Sequence, residues 1–236
     1  MKVIYLHHSG FIVQLNNNTL IFDDITNIQP QFLRKGRQNY FFASHSHHDH
    51  FAQRIFSYGT DFNATYILSD DIPPKGGSNV FYVSPYQTKH FEDPKCGVVD
   101  IETYGSTDLG VSFLVKAEGK IIFHAGDLNW WDWDPETRPD IDPKVEEEDY
   151  KAEIDSLVQK YPDGAIDLAF VPVDSRLGHS AFKAAEYFID TLHPKVLAPM
   201  HFWDHYDIGH ELQNKVFGKG TQICDITRRN ELIYED

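Results

Sequence analysis

The stretch ASHSHHDHF, residues 43–51, places four histidines and one aspartate within six residues, directly after the apolar run YFFA at 40–43. Imidazole and carboxylate side chains are ligands for zinc and also for manganese or iron, and such an ion can activate water near neutral pH. The plainer alternative is a solvated polar loop that holds histidines by chance. The density of ligands after a hydrophobic strand favours a metal site.

The order of these side chains predicts their arrangement. A strand that ends at Ser44 and opens into a loop would direct His45 and His47 toward the same space. A helix that begins near Asp49 would bring Asp49 and His50 to a neighbouring point. One segment could therefore contribute to two metal ions.

Composition limits the classes of protein that the chain can form. With 236 residues, 41% of them hydrophobic and 14% aromatic, the chain can bury a substantial core, and we expect one domain over residues 1–236. The two cysteines, Cys96 and Cys224, form neither a disulfide framework nor a paired zinc motif. Any metal must therefore be bound by histidine and carboxylate.

Charge and apolar runs argue against two kinds of partner. A formal net charge of -15 opposes nucleic-acid binding, which depends on lysine and arginine to neutralise phosphates. Apolar runs such as IIF at 121–123 are far shorter than a membrane span, and the N terminus has too short an apolar stretch for a signal peptide. We expect a cytoplasmic protein that acts on a small molecule, and the oligomeric state stays open.

The first half of the sequence predicts mainly β-strands, with little helix. Asparagines 16–18 mark one hairpin turn and Glu118 with Gly119 marks another, while FAQRIFSYG at 51–59 predicts a short helix. Strands are predicted at the apolar or alternating segments 2–8, 11–15, 19–24, 39–44, 64–70, 79–85 and 98–105, and in both arms of the hairpin 110–127.

The second half alternates between strands and helices. Asp142 and Pro143 predict a helix start, and apolar residues at helical spacing continue from Tyr150 to Tyr161. The strand IDLAFVPVD at 166–174, a helix capped by Ser180 and the strand KVLAPMH at 195–201 follow. This order is typical of an α/β layer with chemistry at the strand ends.

The spacing His-x-His-x-Asp-His at 45–50 resembles the signature of the metallo-β-lactamase superfamily. FHAGDL at 123–128 is similar to the segment whose aspartate bridges two metals, and LAPMHF at 197–202 to the segment whose histidine completes the second site. The resemblance spans nearly the whole chain and implies an α/β fold, a four-layer αββα sandwich. It assigns His45 and His47 to the first metal, Asp49, His50 and His201 to the second, and Asp127 as the bridge.

The opening segment LHHSGF at 6–11 resembles the Gly-His-Ser or Gly-His-Ala element of the subgroup that includes L-ascorbate-6-phosphate lactonase, with His8 at the histidine position. That subgroup is the nearest placement. The resemblance implies hydrolysis of a small ester, lactone or phosphoester by a metal-bound hydroxide, at a site with one or two zinc ions, or manganese or iron. Asp49 would be the catalytic residue that orients the nucleophile or accepts its proton.

One departure concerns the first metal. The family supplies a further histidine just before the strand that begins near Gly110, and in this chain that position falls near Ser106. Either the first site is weaker, or Asp108, Ser106 or His124 completes it. His124 could equally be a histidine of the core that binds no metal.

Two further segments carry candidate residues around the site. Asp174 follows the strand LAFVPV at 168–173, where it would contact a ligand or the substrate, or act as an ordinary turn former. The aromatic cluster that begins at Trp130 emerges near Asp127 and forms either packing or a wall of the pocket.

Two other functions remain open. A phosphodiesterase or nuclease could use the same scaffold if a basic groove lay beside the metals, although the acidic balance opposes it. A non-hydrolytic metal-binding protein is the other alternative, because the first site lacks a histidine. Fold does not decide among these functions.

Overall fold

Alternating apolar residues build the first β-sheet of the computed structural model, which describes residues 1–59 and 61–236. Within that part of the chain the sheet has seven strands, at Lys2–His7 (β1), Gly10–Gln14 (β2), Asn18–Phe22 (β3), Gln38–Ala43 (β4), Ala64–Ser69 (β5), Val80–Val83 (β6) and Glu231–Glu235 (β14). Their order is β14-β1-β2-β3-β4-β5-β6. The strands from β3 to β6 run parallel, so their carboxyl ends meet at one edge.

The second sheet also has seven strands among the described residues. They are Thr88–Asp93 (β7), Gly97–Tyr104 (β8), Ser112–Ala117 (β9), Lys120–His124 (β10), Leu168–Pro172 (β11), Val196–Met200 (β12) and Gln222–Ile223 (β13). Their order is β13-β12-β11-β10-β9-β8-β7, with β10 to β13 parallel and β7 to β10 antiparallel. The parallel half again brings carboxyl strand ends together.

Three α-helices lie in the second half of the described chain, at Pro143–Lys160 (α1), Lys183–Leu192 (α2) and Ile208–Lys215 (α3). Helix α1 begins as the sequence predicts, because the Asp142 carboxylate accepts a hydrogen bond from the backbone N–H of Lys144 and Pro143 needs no partner. Among the residues described, no helix combines the length and the apolar character needed to cross a membrane.

The main core lies between the sheets. Val3, Tyr5 and Phe11 face the second sheet, while their strand neighbours Ile4 and Ile12 belong to a smaller cluster on the opposite face. The three α-helices cover the outer face of the second sheet, whereas two 3₁₀ helices, Pro30–Phe32 and Gln53–Tyr58, and their loops cover that of the first. The expected four-layer αββα sandwich is confirmed, with a thin first outer layer.

Two local predictions were wrong. The segment at 46–50 is a turn closed by hydrogen bonds to the His47 carbonyl, so no helix begins at Asp49. Ser180 ends a 3₁₀ helix, and its hydroxyl donates a hydrogen bond to the Asp132 carboxylate. Helix α2 begins only after Phe182. The sequence analysis also missed four elements, whose short length or polar alternation hides them: β7, β13, β14 and α3.

Glu118 joins the two sheets through its side chain. It sits at the turn between β9 and β10 with a φ of 51°, followed by Gly119 at 75°, as a tight hairpin turn requires. Its carboxylate accepts hydrogen bonds from the backbone N–H groups of Asn16, Asn17 and Asn18, at 2.9, 2.9 and 3.0 Å, in the turn between β2 and β3. One side chain therefore satisfies three backbone donors of the opposite sheet.

We expect Glu118→Ala to lower the free energy of unfolding by about 1–3 kcal/mol, because it removes the acceptor of these donors. Urea unfolding at neutral pH measures the change. Glu92→Ala is the matched control, since Glu92 is exposed on β7, and its effect should stay within about 0.5 kcal/mol. Equal effects of the two substitutions would contradict this role of Glu118.

Candidate metal centre

Five polar side chains follow the carboxyl ends of parallel strands and meet at one edge of the sandwich. Asp23 follows β3 and His45 follows β4 in the first sheet. Asp127, Asp174 and His201 follow β10, β11 and β12 in the second. Because parallel strands end at a common edge, residues far apart in sequence are gathered into one site.

The first group of potential ligands comprises His8, Asp49, His50 and His201, each of which offers an atom within 4.8 Å of the others. His8 Nε2 lies 3.4 Å from Asp49 Oδ2. The set includes the three residues that the resemblance assigns to the second metal and adds His8 from the turn between β1 and β2. Its three imidazoles and one carboxylate match the donors that zinc and iron accept.

Two further groups contain Asp127, one with His45 and His50 and the other with His47 and Asp108. Asp127 Oδ2 lies 3.4 Å from His45 Nε2, and Oδ1 lies 3.1 Å from His50 Nε2. Oδ1 is also 3.4 Å from Nε2 of His201. The carboxylate therefore lies within reach of donors from all three groups.

Several buried atoms at this edge have no hydrogen-bond partner among the described residues. They include both ring nitrogens of His8, Nε2 of His50 and Oδ1 of Asp127, of which the last two lie 3.1 Å apart without the alignment of a hydrogen bond. An unpaired buried polar atom is costly, so a cluster of them calls for a ligand. The residues present fit divalent cations, because the unpaired atoms are imidazole nitrogen and carboxylate oxygen that converge on one space.

Two buried carboxylates hold the rings of the site. Asp23 Oδ2 lies 2.7 Å from His50 Nδ1, and the same side chain accepts from the backbone N–H and hydroxyl of Ser44. Asp174 Oδ2 lies 2.9 Å from His201 Nδ1. Each contact occupies Nδ1 and turns Nε2 toward Asp127, as metal-binding histidines require.

Sequence analysis proposed Asp174 for such a contact but missed Asp23. A signal was present, because FDD at 22–24 ends an apolar strand as the segment before Asp174 does. An aspartate after a strand is also common in turns, so position alone did not distinguish it.

Backbone geometry at the site is strained. His8 and His201 adopt φ values of 56° and 64°, which non-glycine residues rarely take. The backbone N–H of His8 donates to the Tyr5 hydroxyl at 2.8 Å, and that of His201 donates to the His8 carbonyl at 3.3 Å. These bonds hold both histidines in place, and strain of this kind concentrates at functional sites.

Two glycines allow the two sheets to meet closely beside the ligands. Gly110 has a φ of 72°, and a Cβ there would overlap the Ser44 carbonyl oxygen. A Cβ at Gly126 would lie 2.7 Å from the Ser44 Cβ. Because the backbones approach so closely, Asp108 and Asp127 lie next to the histidines of residues 45–50.

Burial and charge set the protonation states. Burial lowers the pKa of His8 and of His45 to about 4, so both rings are neutral near pH 7. Burial would lower the pKa of His50 as well, but Asp127 and Asp23 raise it to about 10. Burial would raise the pKa of Asp127, yet His50 and His201 hold it far below its usual range. A cation at Nε2 of His50 would therefore compete with a proton.

The structure distinguishes Asp108, Ser106 and His124, the three candidates for the missing ligand of the first metal. Asp108 Oδ2 lies 3.7 Å from His47 Nδ1, and burial and the charge of Asp127 raise its pKa. The Ser106 hydroxyl accepts from the backbone N–H of Asp108 at 3.2 Å and supports that turn. Only Asp108 joins a described ligand group.

His124 lies in the core, which is the alternative reading of this residue. Its ring stacks on Phe22 at a centroid distance of 5.0 Å. Nε2 lies 2.9 Å from the Ser9 carbonyl and Nδ1 accepts from the backbone N–H of Gly126 at 3.2 Å. With both nitrogens engaged, His124 is removed from the candidate ligands.

A cavity of about 550 Å³ opens beside these groups. Trp131 and Trp133 form part of its wall, with Arg138 and Arg176 beside them. Trp130, named from the sequence, instead packs between the helices, 6.3 Å from Tyr150 and 6.4 Å from Tyr187 between ring centroids. The cluster therefore divides, because consecutive side chains point to different sides of the segment.

No protein-family model matches the sequence, and no curated protein matches it significantly. Solved structures do match. Igni18, a metallo hydrolase from Ignicoccus hospitalis, is 16% identical with a TM-score of 0.68, and the match covers 100% of this chain and 98% of that one. CmlA, a diiron β-hydroxylase from Streptomyces venezuelae, is 14% identical with a TM-score of 0.63, over 94% of this chain and 52% of that one.

A third similar structure is YhfI from Bacillus subtilis, a metallo-β-lactamase fold protein. It is 15% identical with a TM-score of 0.58, and the match covers 99% of each chain. At such identities the likeness concerns the fold, and function must be argued from the site. The chain has the metallo-β-lactamase fold.

Proposed function

We propose that the protein is a metal-dependent hydrolase that acts on a small ester, lactone or phosphoester. The observation that carries this proposal is the Asp127 carboxylate, buried between groups of histidine and aspartate at the edge of a cavity of about 550 Å³. A cavity of this size accommodates a small molecule. The fold shared with Igni18, named a metallo hydrolase, supports the same reaction class.

Two ions would divide the donors. His45, His47 and Asp108 would hold the first, Asp49, His50, His201 and His8 the second, and Asp127 would contact both. Bound divalent ions would supply a nucleophile near neutral pH by lowering the pKa of water, and would polarise the substrate oxygen. Asp108 thus replaces the missing histidine with a carboxylate.

Asp49 is the residue proposed to handle the proton. It lines the cavity, and its Oδ2 faces His8 Nε2 at 3.4 Å. Burial would raise its pKa, but His8 and His50 hold it well below the usual range, so the carboxylate stays ionised. An ionised carboxylate at the cavity wall can orient an attacking water and receive its proton.

The donor set suits zinc and also iron or manganese, because it mixes imidazole with several carboxylates. We propose one or two zinc ions as the native cofactor. Iron is the main alternative, supported by the two carboxylates, Asp108 and Asp127, that share one ligand group with His47. Elemental analysis of protein purified without added metal would identify the ion.

The lactonase-like subgroup remains our nearest placement within this fold. Its support is the position of His8, which lies in the first ligand group with Asp49 and His201. A small-molecule substrate and a cytoplasmic location belong to the same proposal. A turnover panel of esters, lactones, phosphomonoesters and phosphodiesters would test it.

The rival functions predict different results on that panel. A phosphodiesterase or nuclease would cleave the diesters preferentially, although the net charge of -15 opposes a polyanionic substrate. A non-hydrolytic metal-binding protein would bind metal and turn over none of the compounds.

We expect Asp127→Ala to remove most bound metal and all hydrolytic activity, because Asp127 contacts both groups. Asp174→Asn should weaken metal binding about 10–100-fold, since it disturbs the partner of His201. Elemental analysis and turnover on the panel measure both effects. The control is Asp225→Ala, an exposed aspartate outside the site, which should keep full metal content. Undiminished metal in the Asp127 variant would refute the assignment.

Asp108→Ala and His201→Ala should act on different metal ions. Titration of zinc into stripped protein should show two unequal steps, and each substitution should weaken one step at least about tenfold, because each removes a direct ligand. Each variant is the control for the other. Two unchanged steps in both variants would contradict the division of donors between the ions.

A further inference from the structure

Two arginines lie beside one tryptophan at the cavity wall. The Arg176 guanidinium lies 5.5 Å from the centre of the Trp133 ring, and the Arg138 guanidinium lies 5.8 Å from it. All three residues line the cavity that contains Asp127 and His201. Positive charge is thus placed at the wall of a cavity in a strongly acidic protein.

Each arginine is held by an aspartate two residues away in the chain. Nε and Nη2 of Arg138 bond to Asp140, and the same atoms of Arg176 bond to Asp174. Nη1 of each guanidinium has no acceptor in residues 1–59 and 61–236. Both side chains are about half exposed, at 45% and 48%, so these donors remain accessible to a ligand.

The neighbouring groups define the rest of the ligand. Trp131 stacks parallel to Trp133 at 6.0 Å between centroids, and its ring meets His201 edge-on at 5.6 Å. The aromatic wall therefore runs from the arginines to the metal groups. A ligand could place an apolar part along these rings with one end at the metals and the other at the arginines.

Carboxylates near the two arginines balance much of their charge, so recognition of an anion depends on the free Nη1 N–H groups. Asp49, Asp108 and Asp127 belong to the ligand groups, where cations would neutralise them. Glu146 is the remaining carboxylate of the wall. Asp140 and Asp174 pair with the two guanidinium groups and Glu146 adds a further carboxylate, so an anion would be bound by directed hydrogen bonds from the two Nη1 atoms and not by an excess of positive charge.

We infer that the substrate carries an acidic group, a carboxylate, sulfonate or phosphate, which binds to Arg138 and Arg176 beside Trp133 while the bond to be cleaved lies at the metals. This inference rests on the proposed function for the reaction, but the anion site itself does not depend on turnover. Arg176 also positions His201 through Asp174, so a substitution there would disturb the metal groups as well. A substitution of Arg138 tests the anion site alone.

The test uses benzenesulfonate, a weak metal ligand, and methyl phenyl sulfone, its uncharged analogue. Binding to zinc-loaded and to metal-free protein is followed by tryptophan fluorescence and calorimetry, with zinc content measured in parallel. The variants are Arg138→Gln, Arg138→Lys and the control Arg228→Gln, which removes an exposed arginine outside the cavity wall. Circular dichroism checks the fold of each variant.

We expect benzenesulfonate to bind at least about tenfold more tightly than the sulfone, and Arg138→Gln to weaken it about tenfold, as loss of a hydrogen bond to a charged group does. Arg138→Lys should recover part of the loss, and Arg228→Gln should have no effect. Equal binding of the two compounds, or an unchanged dissociation constant in Arg138→Gln, would overturn the inference. Sulfonate binding without zinc binding would instead refute the metal assignment and support the anion site.

Discussion

The site depends on one buried charge, the carboxylate of Asp127. Only 4% of this residue is exposed, and an unpaired carboxylate so placed would cost several kcal/mol. Three imidazoles, those of His45, His50 and His201, lie within 3.4 Å of its oxygens. Asp127 and Asp23 raise the pKa of His50, and the proton that this ring holds compensates the buried carboxylate until a cation replaces it.

The fold supplies that arrangement through strand direction. Parallel strands in both sheets end at the same edge, so ligands separated by more than 150 residues come together without any local motif that joins them. Left-handed backbone at His8 and His201 adds local strain, which the surrounding hydrogen bonds and packing stabilise. The strained backbone at this edge therefore lowers the stability of the fold, and packing of the core between the sheets offsets that loss.

The resemblance of the sequence to a known fold predicted the layers, and the His-x-His-x-Asp-His spacing, a local signal, predicted most of the side chains that gather at the edge. The sequence could not predict which residue completes the first metal site, since the approach of Asp108 to His47 depends on the contact of Gly110 with Ser44 across the sheets. Asp23 was missed for the same reason. Its role becomes visible only when β3 and β4 pair in parallel.

The central claim is that two ions share Asp127. Anomalous diffraction from crystals loaded with zinc, collected on both sides of the zinc absorption edge, tests it most directly. The account predicts two anomalous peaks on either side of the Asp127 carboxylate, one near His45, His47 and Asp108 and one near His50 and His201. Peaks confined to surface histidines, with none in contact with Asp127, would contradict it.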